Sequence, residues 1–200
     1  MRREVKRLAG AEVPKNSFWT VPNTISLIRL PLLTMIIYLI LISFNSFISA
    51  ALILILFSMD LLDGYLARKF HQETKSGEIL DEIIDRIIEN TLFILFAYLN
   101  YIPIWAPIIM VLRAFIVDGI VLHYKTKTNS PDTIKSERYN SLIRSDWSRG
   151  GYGFLKMLLF VGLVFYPTIS SIYQTGLLLL TVLVVLFSLF RGYVKIKTYL

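Results

Sequence analysis

The chain is written as long apolar runs separated by short polar breaks. The runs fall at Thr24 to Phe44, Phe47 to Leu66, Ile79 to Leu99, Pro103 to His123, Phe154 to Ser171 and Gly176 to Tyr193, and about 20 helical residues cross a bilayer core. The pattern predicts an all-α integral membrane fold with six transmembrane helices, occupying residues 21–200. Residues 1–20 are basic, carry Val5, Leu8, Phe18 and Trp19, and are interrupted by Pro14. They predict an interfacial amphipathic segment on the cytoplasmic leaflet. The first run begins late and lacks a small-residue cleavage site, so a retained helix is expected in place of a removed signal.

Composition strengthens this picture. Hydrophobic residues make up 55% of the 200 positions and charged residues 18%, more apolar surface than a soluble domain of this size hides. The three breaks near Asn45, Asn100 and Tyr166 to Thr175 hold no Lys or Arg, whereas the alternate breaks and the termini hold nearly all 21. By the positive-inside rule both termini are cytoplasmic. The net charge of +7 is then explained by anionic lipid headgroups, and no nucleic-acid motif competes. Trp19, Trp105 and Trp147 fall near predicted interfaces, as an aromatic belt would place them. Absence of Cys removes disulfides, thiolate nucleophiles and Cys-ligated zinc.

Against this apolar background, four aspartates stand out. Asp60 and Asp63 are three apart at the cytoplasmic end of the second run; Asp81 and Asp85 are four apart at the start of the third. Each pair shares a helix face. The link between the helices is short, so both pairs are expected to face one site, in a polar cavity open to the cytoplasm. Carboxylates at membrane depth repel one another unless cations hold them. Oxygen-only ligands select hard ions, Mg²⁺ or Mn²⁺, and two such ions form the usual clamp for phosphoryl-type displacement. Gly64 and Ala67 continue the Asp60 face and leave room for a ligand.

The run Asp60-x-x-Asp63-Gly64-x-x-Ala67-Arg68, eight residues, then Gly77-x-x-x-Asp81-x-x-x-Asp85 resembles the full signature of the CDP-alcohol phosphotransferase family. Pro22-Asn23-Thr24-Ile25-Ser26-Leu27-Ile28-Arg29 is similar to the segment that opens the first helix in many members. The resemblance implies transfer of the substituted phosphate of a CDP-linked lipid, of CDP-diacylglycerol or ether-lipid type, to the hydroxyl of a small polar alcohol, with release of CMP. It implies that Asp60, Asp63 and Asp81 ligate the metals, with Asp85 beside them as general base. Asn23, Thr24, Asp60, Gly64, Ala67, Arg68 and Gly77 are implied to bind the CDP donor, and a homodimer is expected. Plainer readings stay open: Arg68 as a snorkelling anchor, Asn23 and Thr24 as helix caps.

The acceptor is less constrained. Asp146-Trp147-Ser148-Arg149-Gly150-Gly151 departs from the Gly-Lys-x-Lys-Thr-like segment of members that use a phosphorylated acceptor. Arg113, Arg149 and Arg191 nevertheless supply cations for a phosphorylated polyol such as inositol phosphate or glycerol phosphate; serine is the alternative. Arg113 pairing with Glu89 or Asp118, Lys156 snorkelling and Arg191 as a terminal anchor are the non-catalytic readings. Two other classes fit less well. Aspartate-rich prenyltransferases space their paired motifs farther apart, and a divalent-cation transporter needs a polar path that Thr91-Leu-Phe-Ile-Leu-Phe-Ala97 does not offer.

Overall fold

The computed structural model describes residues 21–69, 75–128 and 146–199. Among them are six α-helices and no strand: α1 Val21–Leu41, α2 Ser46–Lys69, α3 Lys75–Tyr98, α4 Trp105–Thr128, α5 Asp146–Val164 and α6 Ser171–Tyr199. A single 3₁₀ turn, Tyr166–Thr168, joins the last two. The amphipathic segment expected at residues 1–20, the link 70–74 and the middle of the expected cytoplasmic loop, 129–145, lie outside the described residues.

Each apolar run contains a helix, but the bounds differ: α1 stops at Leu41, short of Phe44, and α5 stops at Val164, well short of Ser171, while other ends run past their runs. α4 continues past His123 to Thr128, and α5 starts at Asp146, through Gly150, Gly151 and Gly153, where a loop was expected. Glycine in a helix costs about 1 kcal/mol relative to alanine, and this turn offsets that by burying Tyr152 and Lys156. Two helices, over Asn23–Leu41 and Ser171–Lys197, are long and apolar enough to cross a membrane; Ser46–Asp60 and Gly150–Val164 are shorter apolar stretches.

The breaks are built from specific backbone bonds. α1 ends with Ser43 at φ 50° and Phe44 N–H donating to Leu39 C=O at 2.9 Å; α3 ends likewise with Asn100 at φ 59° and Tyr101 N–H on Phe96 C=O at 3.0 Å. Both are left-handed stops that satisfy terminal carbonyls. Asn45 Oδ1 then accepts from the Phe47 and Ile48 N–H groups at 2.9 and 3.3 Å, capping α2.

The chain divides after Glu89, within α3, into two compact units. In the first, α1 packs along α2 through Leu33, Ile36, Ala50, Ile53 and Leu56, all buried. In the second, Phe93 meets Phe160 edge-on at 5.1 Å and Phe96 stacks on Phe160 at 6.0 Å, with Tyr101 stacked on Tyr166 at 4.7 Å. Such ring pairs add about 0.5–1.5 kcal/mol each beyond area burial. Elsewhere the helices expose large apolar chains, among them Met35, Phe47, Phe115, Leu179 and Phe190. Exposed apolar surface on this scale matches a lipid surround and not water.

Gly162 lets α6 approach α5, because a Cβ there would stand 2.6 Å from Leu177 Cδ2. Replacing Gly162 by Leu is expected to destabilise the protein by about 1–3 kcal/mol through overpacking, read as a lowered unfolding midpoint in detergent.

Candidate functional site

Two turns into α1, the apolar sequence is broken by Arg29, whose side chain is only 1% exposed. A guanidinium stays charged when buried, so it must be paired. Its Nη1 donates to Asp60 Oδ1 at 3.0 Å and to Asp81 Oδ1 at 3.3 Å, and its Nη2 donates to Asp85 Oδ1 at 2.7 Å. One side chain from α1 thus joins a carboxylate from α2 to two from α3.

The result is a compact acidic cluster. Asp60, Asp81 and Asp85 each offer an oxygen, and these three atoms lie within 4.8 Å of one another. Like unit charges about 4 Å apart repel by about 4 kcal/mol each at an effective dielectric constant of 20. The arrangement therefore exists because Arg29 supplies the opposing charge. The three side chains are 31%, 41% and 37% exposed, so the cluster is open enough for an ion or a phosphate to reach it. Three carboxylates and one arginine sum to −2, and an all-oxygen donor set of that charge fits a hard divalent cation.

The sequence reading brought both aspartate pairs to one site. The structure brings together Asp60, Asp81 and Asp85; Asp63, Gly64, Ala67 and Arg68 lie on the last turns of α2, and their side chains fall outside the described residues. Gly77 sits in the first turn of α3, half-buried. Asn23 is buried at 4% exposure inside the first turn of α1, while its neighbour Thr24 is exposed. Because α1 begins at Val21, Asn23 does not occupy the N-cap position that a capping role requires. Arg29 carries the cluster's positive charge, yet the sequence assigned it no role beyond membership of a motif. The available signal was an arginine inside an apolar run, which is retained only when paired.

The residues singled out for an acceptor belong to the second unit. Arg113 is 8% exposed on α4 and donates from Nε to the Ser188 carbonyl of α6 at 3.2 Å. Gly192 makes room for it, since a Cβ there would lie 3.0 Å from that same Nε. Of the two partners weighed for Arg113, Glu89 accepts from Arg86 at 3.4 Å and Asp118 pairs with Lys195 at 3.5 Å. Arg191 and Lys156 both lie over the ring of buried Tyr152, at 5.0 and 4.6 Å from its centroid. Tyr152 in turn stacks on Phe187 at 5.7 Å. One ring thus meets two cations, Lys156 from α5 and Arg191 from α6. Arg149 lies in the first turn of α5, its side chain outside the described residues.

The chain is 45% identical over 81 residues to a CDP-diacylglycerol–glycerol-3-phosphate 3-phosphatidyltransferase of Aquifex aeolicus, covering 40% of this chain and 42% of that protein. It is 27% identical over 118 residues to the protein of the same name in Bacillus subtilis, covering 52% and 61%. It is 30% identical over 116 residues to a human cardiolipin synthase (CMP-forming), covering 55% and 36%. The chain spans about half the length of the curated relatives it matches. The family profile for CDP-alcohol phosphatidyltransferases matches residues 19–194, which takes in Arg29, all four aspartates, Arg113, Arg149, Lys156 and Arg191, and the chain belongs to that family.

Proposed function

We propose that this protein is a phospholipid-synthesising transferase that moves the substituted phosphate of a CDP-linked lipid to the hydroxyl of a phosphorylated polyol and releases CMP. The observation that carries the reading is the meeting of Asp60, Asp81 and Asp85 oxygens within 4.8 Å. Glycerol phosphate is the first acceptor to test, supported by the names of two relatives; inositol phosphate and serine are the alternatives. A second reading, cardiolipin formation, is favoured by the name of the human relative.

The chain's own groups suit the displacement. Asp60, Asp63 and Asp81 would hold Mg²⁺ or Mn²⁺, expected as a pair, with Asp85 adjacent. When bound, such ions neutralise the diphosphate and the developing charge on the leaving phosphate. Asn23, Thr24, Gly64, Ala67, Arg68 and Gly77 are assigned to the cytidine diphosphate. The acceptor hydroxyl gives its proton to Asp85 and its oxygen bonds to the lipid-bearing phosphorus. The bond from that phosphorus to the bridging oxygen breaks, and CMP leaves with the electron pair. Arg113, Arg149 and Arg191 are assigned to the acceptor's phosphate. We further propose six membrane-spanning helices, N-in and C-in, a cytoplasm-facing site and a homodimer.

Purified protein incubated with CDP-diacylglycerol and glycerol 3-phosphate is expected to release CMP, and phosphatidylglycerol in place of glycerol 3-phosphate tests the cardiolipin reading. Chelator is expected to abolish turnover and Mg²⁺ or Mn²⁺ to restore it. Asp60→Asn and Asp81→Asn each lower the rate by orders of magnitude; full activity in excess chelator removes metal from the mechanism.

Asp85→Asn is expected to retain CDP-lipid binding while losing nearly all turnover, since a base acts on the acceptor proton in the transition state. Loss of donor and metal binding ahead of turnover would make Asp85 a ligand instead.

Arg191→Ala and Arg149→Ala are expected to raise the acceptor KM about tenfold with the donor KM nearly unchanged. Unchanged acceptor kinetics in both variants, or efficient use of free serine, would sink the phosphate assignment.

A further inference from the structure

Arg29 contacts the same three carboxylates that are assigned to a divalent ion. Each contact uses one carboxylate oxygen, Oδ1 in all three cases. A carboxylate has two oxygens and about four acceptor directions, so a contact to arginine and a bond to a metal are compatible on one group. The fork matters as much as the charge. Nη1 spans from α2 to α3 while Nη2 takes Asp85, a division that needs two separate donor nitrogens on one rigid plane. The helix α3 itself sets Asp81 beside Asp85, whereas the separations of 31, 52 and 56 residues from Arg29 mean that no local structure brings the guanidinium to the three carboxylates.

We propose that Arg29 is the positioning residue of the aspartate cluster: its guanidinium gathers the three carboxylates from two helices before a divalent ion arrives, and so sets the cluster's affinity for that ion. The proposal deepens the metal reading given above and rests on it. Two effects of Arg29 on an incoming cation oppose each other. Its charge repels the ion, while its fork removes the cost of collecting three mutually repelling groups. Lysine keeps the charge but offers one compact donor centre, so Arg29→Lys isolates the gathering.

The test is Mn²⁺ binding to the full-length chain in detergent, read by the loss of the free-ion electron paramagnetic resonance signal. Removing a group that orients metal ligands typically weakens metal affinity about 10–100-fold, and Arg29→Lys is expected to raise the Mn²⁺ half-saturation by at least the lower figure. In thermal unfolding, Arg29→Gln is expected to melt lower than wild type in chelator. At a fixed Mn²⁺ concentration the midpoint of Arg29→Lys should rise by less than that of wild type, because an ion that binds more weakly stabilises the fold less. Wild-type Mn²⁺ affinity in Arg29→Lys overturns the proposal alone. A wild-type chain that binds no Mn²⁺ overturns it together with the metal reading. If neither variant folds in chelator, recovery on adding Mn²⁺ supports the gathering role and failure to recover overturns it.

Discussion

The balance between one buried cation and a group of carboxylates governs the first unit of this protein. Arg29 sits at 1% exposure, and three aspartates converge on it from α2 and α3. Neither half is tenable alone: an unpaired buried guanidinium and three adjoining carboxylates would each be disfavoured by several kilocalories per mole. Breaking such a set on one side leaves the other side's charge uncompensated. The helices that carry these groups are accordingly tied by electrostatics at the site and by Leu33, Ile36, Ile53 and Leu56 away from it.

Polar groups in the second unit follow the same rule with different partners. Arg113 is accommodated by a backbone carbonyl and by the missing side chain of Gly192, and Lys156 and Arg191 by the face of Tyr152. A carbonyl and a ring face are neutral acceptors. They orient a cation without themselves supplying a formal negative charge.

Among the described residues, helix number and type were legible because an apolar run of about 20 residues leaves few alternatives. Helix ends were not. The hydrophobic pattern records where lipid or core is, whereas a helix stops where its terminal carbonyls find other partners, as at Ser43 and Asn100. Gly150, Gly151 and Gly153 read as a break by propensity, yet the helix runs through them because Tyr152 and Lys156 are buried on that turn. The aspartates were legible through their spacing and family resemblance. The role of Arg29 was not, since its contacts lie 31 to 56 residues away and spacing along one helix carries no information about its neighbour.

The short apolar stretch of α2 bears on how such a site meets a bilayer. From Ser46 to Asp60 is about 15 residues, which rise about 22 Å at 1.5 Å each. A hydrocarbon core is about 30 Å thick. The apolar stretch is therefore shorter than a core of that thickness, and α2 runs on beyond it as helix to Lys69. Asp60 accordingly marks the point where the apolar part of α2 stops and its acidic part begins.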